Sequence, residues 1–414
     1  MNSTLPQATA RRWVLPFHEL ALLAAIILVF VLTGLLDPNH TYFKNFQSSA
    51  IIVLRNTALL GIVALGAAVV IISGGIDLSV GSMIAFSATT CALILMLFAD
   101  PTDQRLVTVG VTGVVCAMVG GVLSGLLVGT LHTWLITAVR LPAFVATLAT
   151  LVGLRSFARA MCDFVTKLRW GSENQQINVN TDFFKMVKEN SVSISMTIFV
   201  VLAVLTWLML SRTVLGRHLY AVGGNEQAAR LSGIRVENVK WFAYCFSAMT
   251  ASIAGILIMA NVSVAQPANL AVGYELNAIA AAVVGGCSLQ GGVGTVLGTV
   301  FGALFLRLVI DAVSKLIKAG ADVYEGMIVG IVVVLAVTLT QFRQLVVSGR
   351  TFFAGARGTA AIPTLAIAIG LIAMMGSVNV PYVKEHSVGF GAGVGLAALV
   401  LLSLAKWIET RRQA

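Results

Sequence analysis

Apolar runs of about spanning length recur along this chain, each broken off by a few polar, glycine or proline residues before the next begins. About 20 helical residues rise 30 Å, the thickness of a bilayer's hydrocarbon core. Inside hydrocarbon every peptide N–H and C=O must find a partner within the protein, so these runs point to spanning α-helices. Composition agrees. The 414 residues are 58% hydrophobic and 11% charged, against about 25% charged in soluble domains. A water-soluble fold of this size could not hide so much apolar surface. The expected fold class is all-α, a polytopic helical membrane protein with the lipid bilayer as its main solvent.

The expected spans are Leu15 to Leu36, Ala50 to Ser73, Gly81 to Phe98, Val107 to Val128, Ala143 to Met161, Val192 to Leu210 and Trp241 to Ala260. Thr295 to Val313, Val323 to Thr340, Ala360 to Val378 and Val388 to Trp407 follow. Asp37-Pro38-Asn39 and Asp100-Pro101 supply interfacial turn chemistry. Arg155 and Arg159 are expected at the far end of the fifth span. Cys162 to Asn190 is expected as the longest hydrophilic loop. Gly121, Gly125 and Gly129 stand at GxxxG spacing, which permits close helix contact. The net charge of +10 fits cytoplasmic loops that collect Lys and Arg. Arg11-Arg12 would hold the N-terminus inside; six crossings then place Gly223 inside, and the short Tyr274 segment, counted as one crossing, returns Arg343, Arg350 and the C-terminus inside. No cleaved signal peptide is evident. The loop Cys162 to Asn190 falls outside although it carries four basic residues, Lys167, Arg169, Lys185 and Lys188.

Two places interrupt the helices in the same way. Ser73-Gly74-Gly75-Ile76-Asp77-Leu78-Ser79 joins two apolar runs, and Asp77 or Ser79 can cap the helix that follows. Tyr274-Glu275-Leu276-Asn277 opens a run too short to span, which breaks at Gly285-Gly286. Matched interrupted segments suggest an internal repeat around a central path. A bare carboxylate at membrane depth must cap backbone, pair with a cation or stay wet, so Asp77 either locks a helix start or lines the path. Glu275 and Asn277 pose the same choice. A path with few net charges suits a neutral, hydroxyl-rich solute better than an ion.

Gly223 to Gly233 is a polar island between spans, ringed by Arg212, Arg217, Arg230, Arg235 and Lys240. Asn225 can N-cap a short helix, Glu226 suits its positive end, and Gly233 can end it in the left-handed conformation. So short a helix must be braced by its own membrane domain or by a partner.

Several chemistries are missing. There is no GxxxxGK[ST] phosphate loop, HExxH or GxSxG. Five scattered cysteines form no CxxC or Cys/His cluster, and the five histidines are isolated. No enzymatic role, cofactor or metal is expected, and no basic stripe interleaved with aromatics points to nucleic acid.

The segments Ser73 to Ser82, Leu141 to Thr150, Leu215 to Ile234 and Ala265 to Leu289 resemble the ribose-type permeases of bacterial ABC importers, in order, over roughly Asn45 to Thr340. That resemblance implies an inner-membrane protein of about ten core transmembrane helices, by span length. It also implies a second permease subunit, cytoplasmic ABC ATPase subunits and a periplasmic sugar-binding protein. It places Gly224, Asn225, Glu226, Ala229, Arg230 and Gly233 in the cytoplasmic loop that meets the ATPase. The chain would divide into a permease domain, 1–342, and an extension, 343–414, with two further spans. An ion-coupled secondary transporter, with Asp77 and Glu275 as coupling carboxylates, is the alternative.

Overall fold

The computed structural model describes residues 17–37, 39–316, 326–327, 329–332, 334, 355–377 and 384–411. The expected span Val323 to Thr340 lies mostly outside the described residues. Arg11, Arg12, Arg343, Arg350 and the 342/343 boundary lie wholly outside them. Two compact units are present. One takes His40–Val309 together with the chain up to Leu35; the other takes Leu36–Asn39 and the chain from Ile310.

The helices are α1 (Phe17–Leu36), α2 (Thr41–Lys44), α3 (Phe46–Ile72), α4 (Val80–Phe98), α5 (Val111–Thr137), α6 (Ala143–Trp170), α7 (Asp182–Glu189), α8 (Ser191–Arg212), α9 (Val214–Gly224), α10 (Glu226–Leu231), α11 (Val236–Val262), α12 (Tyr274–Val284), α13 (Val296–Leu316), α14 (Gly355–Ser377) and α15 (Ser387–Arg411). Ten of these described helices are long and apolar enough to cross a membrane: α1, α3 to α6, α8, α11 and α13 to α15. The fold is an all-α polytopic membrane protein.

In the larger unit the centre is α3, packed by α8, α11 and α12. From Thr57 to Ser73 every residue of α3 and its cap is buried. By contrast α5, α6 and α8 turn large apolar side chains outward, among them Leu127, Val152, Phe157 and Leu205, as lipid-facing helices must. The GxxxG glycines of α5 meet α11. A Cβ at Gly125 would fall 2.7 Å from the Ala248 carbonyl oxygen, and one at Gly129 would fall 2.5 Å from Cys245 Cα. Most buried hydroxyls donate back to the carbonyl three or four residues earlier, as Thr89 Oγ1 does to Ala85 O at 2.8 Å. A spanning helix can therefore carry Ser and Thr without leaving a polar group unmet.

Backbone contacts sort the helix ends onto two faces. On the first face the start of α1 meets the end of α12: the His18 ring nitrogen Nε2 lies 3.2 Å from Val284 O. There too Thr295 Oγ1 donates to Glu19 Oε1 at 3.1 Å, and Gly292 N–H donates to Ile72 O at 2.9 Å. On the opposite face Arg169 donates to Ala99 O, Asn180 N–H to Arg105 O and Val179 N–H to Ser263 O. The two-residue strands β1 (Ile177–Asn178) and β2 (Val264–Ala265) pair there, antiparallel. The stretch from β2 to the end of α12 therefore joins the two faces.

The region from Cys162 to Asn190 departs from expectation. It begins as helix, since α6 runs on to Trp170 and ends at Gly171 with φ 74. Too polar to read as lipid-embedded, this stretch still has helix-forming side chains. It then gives β1 and the amphipathic α7, whose Phe184 and Val187 are buried. A further consequence is that Arg155 stands near the middle of α6 instead of at its end.

In the second unit α14 and α15 form a hairpin zipped by small residues. A Cβ at Gly391 would meet Gly370 O at 2.7 Å and Met374 Cβ at 2.5 Å, and one at Gly395 would meet Ala366 O at 3.2 Å. Such close backbone approach is how helices associate where no water drives them together.

Candidate functional site

Three helix ends on the first face are built alike. After α3, Gly74 takes φ 81, its N–H bonds Ile71 O and the Gly75 N–H bonds Val70 O, each at 2.9 Å. After α12, Gly286 takes φ 95, its N–H bonds Val283 O and the Cys287 N–H bonds Ala282 O, each at 2.9 Å. After α10, Gly233 takes φ 84, with N–H bonds from Gly233 to Arg230 O and from Ile234 to Ala229 O, each at 3.1 Å. Each is a paired-bond helix stop closed by a left-handed glycine. The two interrupted segments thus share a device as well as a composition.

These ends converge on one junction. Gly223, in the last turn of α9, lies against the end of α3 and the loop that follows α12. A Cβ there would overlap the Ile72 carbonyl oxygen and fall 2.6 Å from Gly292 N. A Cβ at Gly74 would lie 3.3 Å from Gly223 Cα, and one at Gly291 would lie 2.8 Å from Gly74 Cα. Gly291 and Gly292 hold φ of 86 and 70. Tyr220 Oη, one turn earlier on α9, donates to Gly294 O at 2.8 Å. Burial pushes the Tyr220 phenol up, which keeps it a donor. The first break and the loop that follows the second therefore touch the same turn of α9, backbone to backbone.

Just past that turn is α10. Asn225 caps it, its Oδ1 accepting the Ala228 N–H at 2.9 Å. Glu226 meets Lys240 Nζ at 2.7 Å and Arg230 at 3.6 Å, and Arg230 meets Glu237 at 2.6 Å. The hydrogen bond and charge of Glu237 raise Arg230 further above its already high value. This chain of ion pairs ties α10 to the first turns of α11. Gly224, Asn225, Glu226, Arg230 and Gly233 are exposed, whereas Ala229 is buried and packs α10 against its own unit. Leu231, which the sequence reading passed over, is 90% exposed at the tip. Its signal was a large apolar residue in an otherwise small and polar six-residue helix.

The first break is locked from within. Asp77 Oδ1 accepts the Ser79 N–H at 3.0 Å and the Ser79 hydroxyl at 2.6 Å, and Oδ2 accepts the Ser247 hydroxyl of α11 at 2.9 Å. Ser79 stands at the N-cap of α4 but its side chain makes no cap bond; it is engaged by Asp77 instead. Both are buried, with His132 and Tyr244 beside them. Geometrically Asp77 is a lock between α4 and α11. At the second break Gly285 packs on Gly298 of α13, Asn277 is buried and Glu275 is half-buried with its Oε2 against Gly81 of α4. The eight residues named from sequence thus form two groups, one leading into α4 and one along α12, and Gly223 with Gly291–Gly292 joins the first to the loop that follows the second. No group of three or more metal-ligating side chains occurs among the described residues.

A helical membrane fold with an interrupted segment on each side of one junction, and a capped helix projecting beyond it, is the construction of a transport permease. Residues 49–337 match the family described as branched-chain amino acid transport system / permease component, and the chain belongs to that family. It is 33% identical to the ribose import permease protein RbsC of Escherichia coli strain K12 over 322 residues, 78% of this chain and 93% of that protein. It is 32% identical to the protein of the same name from Bacillus subtilis strain 168, covering 76% and 90%. To the autoinducer 2 import system permease protein LsrC of Yersinia pseudotuberculosis the identity is 33%, covering 74% and 81%. No solved structure matches. The chain is a transmembrane permease of the ABC-importer class, and the ion-coupled alternative is set aside.

Proposed function

We propose that the chain is the permease subunit of an ATP-driven importer for a monosaccharide or similar polyol, seated in a bacterial inner membrane. The first face, with the N-terminus and α10, is cytoplasmic. Separate ABC ATPase subunits act from that side, and a periplasmic sugar-binding protein delivers solute to the other. A second permease subunit, of the same or a related sequence, completes the path. Residues 1–342 form the permease domain and 343–414 an added two-span extension, since the family match ends at residue 337.

One observation carries this reading: an exposed, capped helix whose preceding turn lies in backbone contact with the first helix break and with the loop that follows the second. Closure of the ATPase pair on nucleotide would displace α10 through Leu231, Glu226 and Arg230. Packed backbones have no flexible side chain to absorb the motion, so α9 must carry Ile72 and Gly292 with it. The helices flanking Gly74, Gly75, Gly285 and Gly286 would then move as rods, a rigid-body switch. Asp77 and Ser79 keep α4 with α11, while Glu275 and Asn277 border the path at the half-helix α12. The relatives named for ribose support a monosaccharide as solute.

Labelling of Leu231→Cys tests the reading. A membrane-impermeant maleimide should reach it from the cytoplasmic side of inverted vesicles, and bound ATPase should block the reaction. Labelling from the periplasmic side of intact spheroplasts would refute it.

A further inference from the structure

We propose that Arg155 is the positioning residue of the gate on the opposite face: it latches the non-helical segment 266–273 at membrane depth and so holds the mouth beside α12 shut. The inference rests on the permease reading above and adds a second control point, remote from α10.

Arg155 lies in α6 twelve residues from the helix start, which by helical rise is about 18 Å along the axis and so well inside the bilayer. A charged side chain at such depth is costly unless it is engaged. Its guanidinium donates to three backbone carbonyls of one segment: Pro267 O at 2.9 Å, Leu270 O at 3.0 Å and Ala268 O at 3.4 Å. That segment returns from β2 at the opposite face toward the start of α12. It is irregular backbone at membrane depth, tolerated only where protein meets its polar groups. Pro267 has no N–H to offer a ladder, and Ala271 and Gly273 take φ of 53 and 82, so no regular helix can supply the missing bonds. Arg155 supplies them from a neighbouring helix. All three bonds leave one nitrogen, Nη1, whose two hydrogens are shared among the three carbonyls, and the delocalised guanidinium keeps its charge at that depth.

The latch is set against the path. Glu275, at the first turn of α12, is the acidic group whose charge reaches Arg155, with Arg159 the opposing cation. The far side of the same segment rests on α4, where a Cβ at Gly81 would fall 2.8 Å from Ala271 O and would collide with Glu275. Segment 266–273 therefore lies between α4 and α6, directly ahead of α12. Withdrawing Arg155 frees three carbonyls at once and leaves them to water, so the segment swings outward and the start of α12 becomes wet.

The test uses the full chain with Ala278→Cys, a fully buried position one turn into α12, and a membrane-impermeant thiol reagent applied from the opposite face. The same chain without the added cysteine is the background. The Arg155→Gln variant should raise the labelling rate about tenfold, since several bonds from a charged donor are lost. It should also let labelled D-ribose escape from preloaded vesicles without ATP. Arg155→Lys should fall between the two and carries the test if Arg155→Gln does not accumulate in the membrane. Unchanged labelling and no leak in variants that melt at the parent's temperature would overturn the latch. Failure of the parent chain itself to take up solute with its ATPase would instead overturn the permease reading.

Discussion

The junction predicts opposite fates for two adjacent glycines. An Ala at Gly224 meets nothing within 4 Å, while an Ala at Gly223 would overlap the Ile72 carbonyl and crowd Gly292 N at 2.6 Å. Those two atoms are themselves hydrogen-bonded at 2.9 Å. An ordinary Cβ contact begins at 3.4 Å, so α9 or one of the breaks must retreat by more than an ångström, and backbone cannot rotate aside. Overpacking of this kind costs about 1–3 kcal/mol. Losing a buried peptide bond pair adds about 1–3 kcal/mol. The expected destabilisation of Gly223→Ala is thus about 2–6 kcal/mol, against a change within about 0.5 kcal/mol for Gly224→Ala. Thermal melts in detergent read the stability difference. ATP-driven uptake and ATP hydrolysis, measured together in vesicles, read the coupling. Gly223→Ala should hydrolyse ATP with little uptake, while Gly224→Ala melts as the parent does. Equal melting and equal uptake in the two variants would refute the idea that α9 touches the first break and the loop that follows the second.

Three further outcomes follow from the same geometry. Exchanging charges, with Glu226→Arg and Arg230→Glu together, sets like charges against Lys240 and Glu237; the protein should reach the membrane in normal amount while uptake is lost, and normal uptake would remove α10 from the coupling. Replacing Asp77 with Ala strands the Ser79 and Ser247 hydroxyls and should cost about 3 kcal/mol, the range for bonds to a charged acceptor, whereas Ser247→Ala removes one bond and should cost less, both read by thermal melts. On the opposite face, desolvation opposes ionisation of Asp103, but hydrogen bonds from the Thr108 N–H and hydroxyl and from the Arg105 and Val107 N–H groups outweigh it and hold the carboxyl below the usual carboxylate range. That stabilisation is complete above the usual carboxylate pKa of about 4 and is lost as pH falls through the lowered value; amide exchange at Val107 and Thr108 should accelerate only in that acid window, and Asp103→Asn should remove the pH dependence.

The parts of the fold that the linear chain made legible are those governed by local chemistry. Runs of hydrocarbon gave α3, α4, α8 and α11, and Asn225 with Gly233 bracketed α10 because caps and left-handed stops act over four residues. The end of α6 at Trp170 was hidden because its last turns are too polar to read as lipid-embedded yet remain helical. With that end misplaced, Arg155 read as interfacial when it lies at depth. The glycine junction could not be read at all: Gly74, Gly223 and Gly291 are about seventy to two hundred and twenty residues apart, and only the packing of α9 brings them together. Gly75, Gly285 and Gly286 were singled out as helix breakers, and all three also serve as close contacts, Gly75 against Tyr244, Gly285 against Gly298 and Gly286 against the His18 ring.

Reconstitution tests the central claim most directly. Purified permease is placed in vesicles with and without an ABC ATPase and a sugar-binding protein from an importer of this class, and uptake of labelled D-ribose and other pentoses and hexoses is followed. The account predicts uptake only when ATPase, ATP and binding protein are all present, and its loss in Leu231→Asp, which leaves every membrane contact of the junction in place. Uptake by the permease alone, or undiminished uptake in Leu231→Asp, would contradict it.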